Sequence, residues 1–259
     1  MDWDDAYANA AYIQGGDTYP DKWAAAAAAF RNQAMCQLDI PYGDTRRQRF
    51  DLFHPNRAAR GVLIFVHGGY WLRFDKSFWS HLAQGPLAEG WAVAMPSYDL
   101  CPDVRITEIG QQITRAIATI ADRVPGPIRL AGHSAGGQLV ARAAVPDSRS
   151  GWQTRLEHVV SISPVSDLAP LMNTAMNKDL CIDAPEASAE SPAHLPRPNV
   201  PVTVWVGEDE RPVFLDQARW LAEHWDAALV VEPARHHFDV VEALADPASP
   251  LLGACLAPS

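Results

Sequence analysis

At 259 residues, 48% hydrophobic and 20% charged, the chain has a globular composition, with enough apolar surface to fill one large core. A formal net charge of -10 and the lack of any basic stripe exclude a nucleic-acid binder, because phosphate contacts need clustered Lys and Arg. No apolar run approaches the ~20 residues that span a membrane, and the acidic N-terminus lacks the apolar stretch of a secretory signal. A protein without membrane association and with a cytoplasmic location is therefore expected. Cys36, Cys101, Cys181 and Cys255 are far apart, with no C-x-x-C pair, and are expected to be free thiols.

In chain order, residues 1–35 read as a helical, alanine-rich segment broken at Gly15-Gly16. Cys36–Ile40 and Gln48–Phe53 are strand-like, and the turn at Pro41-Tyr-Gly-Asp between them favours a hairpin. Val62–Val66 is a continuous apolar run, the mark of a strand buried on both faces. A helix is predicted around Ser77–Ala88, a strand at Trp91–Met95, a helix over Ile106–Val124, a strand at Ile128–Ala131 and a helix over Ala135–Ala144. Val159–Ile162, Val202–Val206 and Ala228–Val231 complete the strands, with helices around Val213–Trp225 and after Phe238. Strands alternating with helices specify an α/β fold, a mostly parallel central sheet with helices on both faces. A single domain over 1–259 is expected. A Pro-, Asn- and Ala-rich insertion at about 167–200 is placed to act as a cap over a site.

The segment Gly132-His133-Ser134-Ala135-Gly136 contains G-x-S-x-G between a predicted strand and a predicted helix. That is the context of a nucleophile elbow, in which Ser134 occupies a strained backbone position and glycines two residues either side avoid a collision. An idle serine in a Gly-rich turn is the bland alternative. His67-Gly68-Gly69-Tyr70-Trp71 follows the buried strand Val62–Val66, where an α/β-hydrolase fold supplies one side of an oxyanion hole. The expected donors are the backbone N–H of Gly69 or Tyr70 and that of Ala135.

The order serine, acid, histidine places the base after the last strand, so His237 is preferred over His236. The acid should follow Val202–Val206, where Glu208, Asp209 and Glu210 stand in a row. Glu210 is preferred, Asp209 is the alternative, and Asp167 is a more distant one. No metal or organic cofactor is needed for such a triad. Tyr70, Trp71, Phe74 and Trp79 are candidate aromatic walls of a substrate site, with Tyr70 and Trp71 as the substrate-binding residues.

With these residues in place, the chain resembles the kynurenine formamidase (arylformamidase) and carboxylesterase group of α/β hydrolases. The resemblance rests on H-G-G-x-W at 67–71, G-H-S-A-G at 132–136, Tyr98-Asp-Leu-Cys-Pro followed by Gln111-Gln112-Ile113, the run Val206–Phe214, and His237-Phe-Asp-Val-Val-Glu. It spans about Pro41 to Leu244, and Ala6-Tyr-Ala-Asn-Ala is similar to bacterial members. The resemblance implies Ser134 as nucleophile, Glu210 at the acid position, His237 as base, and the N–H groups of Gly69 and Tyr70 as oxyanion donors. Most relatives with formamidase roles place Asp at the acid position, and Glu210 departs from that. The expected reaction is hydrolysis of a small-molecule acyl substrate, a formyl amide or short ester. A thioesterase or carboxylesterase is the alternative, and a non-catalytic binding protein the distant one. The oligomeric state is left open, a homodimer included.

Overall fold

The structure is a computed structural model and describes residues 2–146 and 151–257. Eight strands form one sheet: β1 (Cys36–Pro41), β2 (Arg49–Phe53), β3 (Val62–Val66), β4 (Ala92–Pro96), β5 (Ile128–His133), β6 (Leu156–Ile162), β7 (Val202–Gly207) and β8 (Ala228–Glu232). Their order across the sheet is β1-β2-β4-β3-β5-β6-β7-β8. The first two strands pair antiparallel, as does β2 with β4, and every later pairing is parallel.

The chain runs from β3 outward to β4, then back past β3 to β5. The direction of winding therefore reverses beside β3. In a doubly wound sheet this is where the loops leaving the carboxyl ends diverge and open a crevice. The loop after β3 and the turn after β5 are the segments that carry His67–Trp71 and Ser134.

Side-chain alternation along β3 divides the core into two layers. Val62, Ile64 and Val66 pack on one face with Ile106, Ile109, Ile113, Ile117 and Ile120 of the Ile106–Arg123 helix. The i, i+3, i+4 spacing of these isoleucines is the reason that helix forms and docks there. Leu63 and Phe65 pack on the other face with Trp23, Trp79, Leu251 and Leu252. Both faces of β3 are buried, so it reads as an unbroken apolar run.

The predicted helix at Ser77–Ala88 divides into two 3-10 turns, Lys76–Phe78 and Ser80–Ala83, before a short α-helix, Gln84–Ala88. Pro86 lacks an N–H and is tolerated only in the first turn of a helix, which forces the α-helical start to Gln84. The helix expected after Phe238 is a 3-10 stretch, Val240–Ala245, followed by an α-helix, Pro250–Leu256. All four cysteines are free. Among the described residues no helix is long and apolar enough to cross a membrane.

Candidate active site

Ser134 lies between β5 and the Ala135–Ala144 helix with φ 57° and ψ -120°. A non-glycine residue in this region is strained, and the surroundings must hold it there. Its N–H donates to the Ile162 carbonyl at 2.8 Å, and its carbonyl accepts from the Gln138 N–H at 3.1 Å. The flanking glycines are required by contact. A Cβ at Gly132 would stand 2.1 Å from the Gly136 carbonyl oxygen, and one at Gly136 would stand 2.0 Å from that of Val66. The loop after β3 also comes close, since a Cβ at Gly68 would meet the Ser134 Cβ at 2.9 Å.

His237 is reached from the far end of β8 and is 3% exposed. Its Nδ1 donates to Glu210 Oε2 at 2.6 Å, which leaves Nε2 as the acceptor of the neutral ring. Its ring packs on Phe214 with centroids 4.2 Å apart and on His133 at 4.7 Å. The His237 carbonyl accepts from His133 Nε2 at 2.8 Å. Burial keeps the His133 imidazole well below the usual histidine range, so it is a neutral donor to that carbonyl.

Glu210 is 6% exposed and both its oxygens are engaged. Oε1 accepts from the Gly207 N–H at 2.9 Å and from the Ser163 hydroxyl at 2.5 Å, while Oε2 faces His237. Glu208 and Asp209 point into solvent. Asp167 lies elsewhere, 3.2 Å from the His194 ring. His236, the rejected alternative base, is 3.1 Å from the Tyr19 hydroxyl and its Nδ1 accepts from the N–H groups of Phe238 and Asp239.

Ser134 and His237 share the wall of a cavity of about 610 Å³. Gly68, Gly69 and Tyr70 line it from the loop after β3. Ala135 is fully buried at the first position of the helix behind Ser134. Phe74, Trp79, Trp23 and Phe238 give the cavity an aromatic side, Trp23 and Trp79 being 4.7 Å apart between centroids.

Trp71 does not take the substrate-binding position expected for it. It is fully buried among core residues and its indole N–H donates to Gln138 Oε1 at 3.2 Å, away from the cavity wall. The positive φ of Gly69, Tyr70 and Trp71 turns the loop so that Tyr70 faces the cavity and Trp71 faces the core.

The cover of the cavity also differs from expectation. The 167–200 insertion contributes only Met176 to the wall, whereas the N-terminal segment contributes ten residues from Asp4 to Trp23. That segment is tied down at several points. The Tyr70 hydroxyl donates to the Tyr7 carbonyl at 2.7 Å, Gln217 Nε2 donates to the Tyr7 hydroxyl at 2.8 Å, and Arg211 pairs with Asp5 at 2.7 Å while stacking over the Tyr12 ring. Sequence reading missed this role because an alanine-rich helical stretch carries no chemical motif. It missed Ser163 as well, since a lone serine after a strand is commonplace.

Among the described residues no group of three or more His, Cys, Asp or Glu is arranged to hold a metal ion.

Comparison with known proteins agrees with this fold. A family model described as the alpha/beta hydrolase fold matches residues 63–236. Kynurenine formamidase of Salmo salar is 26% identical over 233 residues, covering 83% of this chain and 79% of that protein. The Drosophila melanogaster kynurenine formamidase is 28% identical over 226 residues, covering 78% and 75%. The solved structure of a protein from Silicibacter sp. TM1040, proposed as a thioesterase, is 54% identical with a TM-score of 0.96, covering 99% of this chain and 100% of that one. Esterase B from Lactobacillus rhamnosis shares the fold, with a TM-score of 0.67 at 18% identity over 90% of this chain and 89% of its own. The chain belongs to the α/β-hydrolase fold family and is a hydrolase, similar in sequence to the kynurenine formamidases.

Proposed function

We propose that the chain is a serine hydrolase that removes a small acyl group, a formyl amide or a short ester, from an aromatic leaving group. The observation that carries the reading is the buried Glu210–His237 pair in the same cavity wall as a strained Ser134. His237 Nε2 takes the Ser134 proton as the serine oxygen attacks the carbonyl carbon. Glu210, fixed by Gly207 and Ser163, holds the Nδ1–H tautomer and stabilises the imidazolium that forms. The N–H groups of Gly69, Tyr70 and Ala135 receive the developing oxyanion, and each such donor is worth on the order of 3 kcal/mol in the transition state. His237 then protonates the leaving group, and water repeats the cycle on the acyl-enzyme.

Aromatic walls at Trp23, Phe74, Trp79 and Phe238 suit an aryl leaving group, and the kynurenine formamidases of fish and fly support a formyl amide. The strong likeness to the Silicibacter protein supports a second reading, a thioesterase using the same residues. Turnover of N-formylkynurenine, short acyl esters and short acyl thioesters by the same preparation tests both. The expected result is the highest kcat/KM on the formyl amide. Cleavage of thioesters without cleavage of the formyl amide removes the formamidase reading and leaves the thioesterase.

A further inference from the structure

β8 closes one edge of the sheet. Among the described residues it pairs only with β7, so the peptide groups on its outer side have no ladder partner. The Glu232 carbonyl accepts from the Glu208 N–H at 2.8 Å and so faces β7. Peptide groups alternate sides residue by residue along a strand, which turns those of Leu229 and Val231 outward. The same two residues are 39% and 45% exposed. Their side chains share one face of the sheet, because they pair with Val204 and Val206 of one core layer, while Val230 pairs with Trp205 of the other. The helix Pro212–Trp225 packs on that same face and leaves its Trp220 37% exposed.

An exposed, flat, apolar edge is a template for another strand, and folded proteins blunt such edges with bulges, prolines or charges. β1, at the opposite edge, carries all of these: a register shift between Gln37 and Ile40, Pro41, and Asp39 paired with Lys76 at 2.7 Å. β8 has no such device from Ala228 to Val231, and its register with β7 runs unbroken to Glu232. The strand is also complementary to itself. An antiparallel copy centred on Val230 sets Leu229 against Val231 and Val231 against Leu229. Residues in a hydrogen-bonded antiparallel pair exchange both of their bonds, so the outward groups of Leu229 and Val231 meet with every donor facing an acceptor. Their side chains join into one apolar patch across the two-fold axis. The same register brings Asp226, whose side chain is fully exposed, opposite Ala234 of the second copy and next to the partly exposed Arg235, at both ends.

We infer that the outer edge of β8 is the interface of a homodimer, in which β8 of one copy pairs antiparallel with β8 of a second copy about Val230 and joins the two sheets into one. The occupant is a second copy rather than a strand of another protein, because the apolar side chains, the outward peptide groups and the end charges all match under one two-fold register. A symmetric contact of this kind closes on itself, so each edge is used once and no fibre grows. The inference is independent of the Ser134 reading and stands or falls without it.

The test is sedimentation equilibrium over a range of chain concentrations, for the wild type, Leu229→Lys, Val231→Glu and the double variant Leu229→Lys/Val231→Glu. The wild type is expected at twice the chain mass. Each single substitution sets a charge against an apolar residue at both symmetric positions, and is expected to raise the dissociation constant on the order of tenfold or more. The double variant sets the introduced lysine of each copy against the introduced glutamate of the other, and is expected to restore the dimer. A thermal melt checks that each variant folds, and where one single variant does not, the other is read in its place. A monomeric wild type overturns the dimer and leaves the edge to a strand of a different protein. A dimer that both single substitutions leave unchanged has its interface elsewhere, which overturns the proposal. A double variant as weak as the single ones overturns the register about Val230.

Discussion

His237 Nδ1 lies 2.6 Å from Glu210 Oε2, and the other carboxylate oxygen is held by Ser163 and Gly207. The longer arm of Glu has a use here. It lets the carboxylate fold back to accept the Gly207 N–H, three residues upstream, while still reaching a histidine carried by another loop. Glu210→Gln should therefore cost on the order of 10³-fold in kcat, by disturbing the tautomer and removing the charge that faces the imidazolium. Asp209→Ala should stay near wild type, because Asp209 is exposed. Steady-state kinetics on p-nitrophenyl acetate checks the ranking, and the reverse order would move the acid by one residue.

The N-terminal segment should act on substrate capture rather than on chemistry. Asp5 pairs with Arg211 and accepts from the Tyr12 hydroxyl, at a distance from the reacting groups. Asp5→Ala should raise KM roughly fivefold with kcat within about twofold, the size expected from losing one exposed ion pair and loosening one cation–π contact. A fall in kcat with KM unchanged would show that the segment does something other than close the cavity.

Buried histidines set the acid limit of the fold. Burial pushes the imidazoles of His67, His81 and His158 down from 6.5 to about 4. Between those values the unfolded chain takes up protons that the folded chain refuses. Stability is therefore fully present above about pH 6.5 and falls as the pH drops toward 4, with His67 alone worth on the order of 3 kcal/mol. Melting temperatures should be flat from about pH 7.5 to 6.5 and fall steeply below. A flat profile down to about pH 4.5 would contradict this account of His67, whose ring is stacked on Tyr98 at 4.4 Å.

The central strands were legible because each is buried on both faces, which leaves a continuous apolar signature in Val62–Val66 and Val202–Val206. The helix Ala135–Ala144 was legible from the helix-compatible run Gln138-Leu-Val-Ala-Arg-Ala-Ala that follows G-x-S-x-G. The edge of the site was not. Trp71 and Tyr70 are neighbours of similar chemistry, and only the positive backbone angles of the loop decide which faces the cavity. The cover by residues 4–23 depends on contacts with Tyr70, Arg211 and Gln217, which are distant in sequence. Glu210 and Asp209 differ in sequence by one methylene, and the distinction between them lies in which one is carried inward.

The claim that Ser134 carries the acyl group is tested most directly by labelling with a fluorophosphonate and reading the intact mass. The account predicts one adduct per chain, located on Ser134 by peptide mapping, with activity lost in step with labelling. Ser134→Ala should take up no label and lose turnover by a factor on the order of 10⁶. An adduct on another residue, or hydrolysis retained by Ser134→Ala, would contradict it.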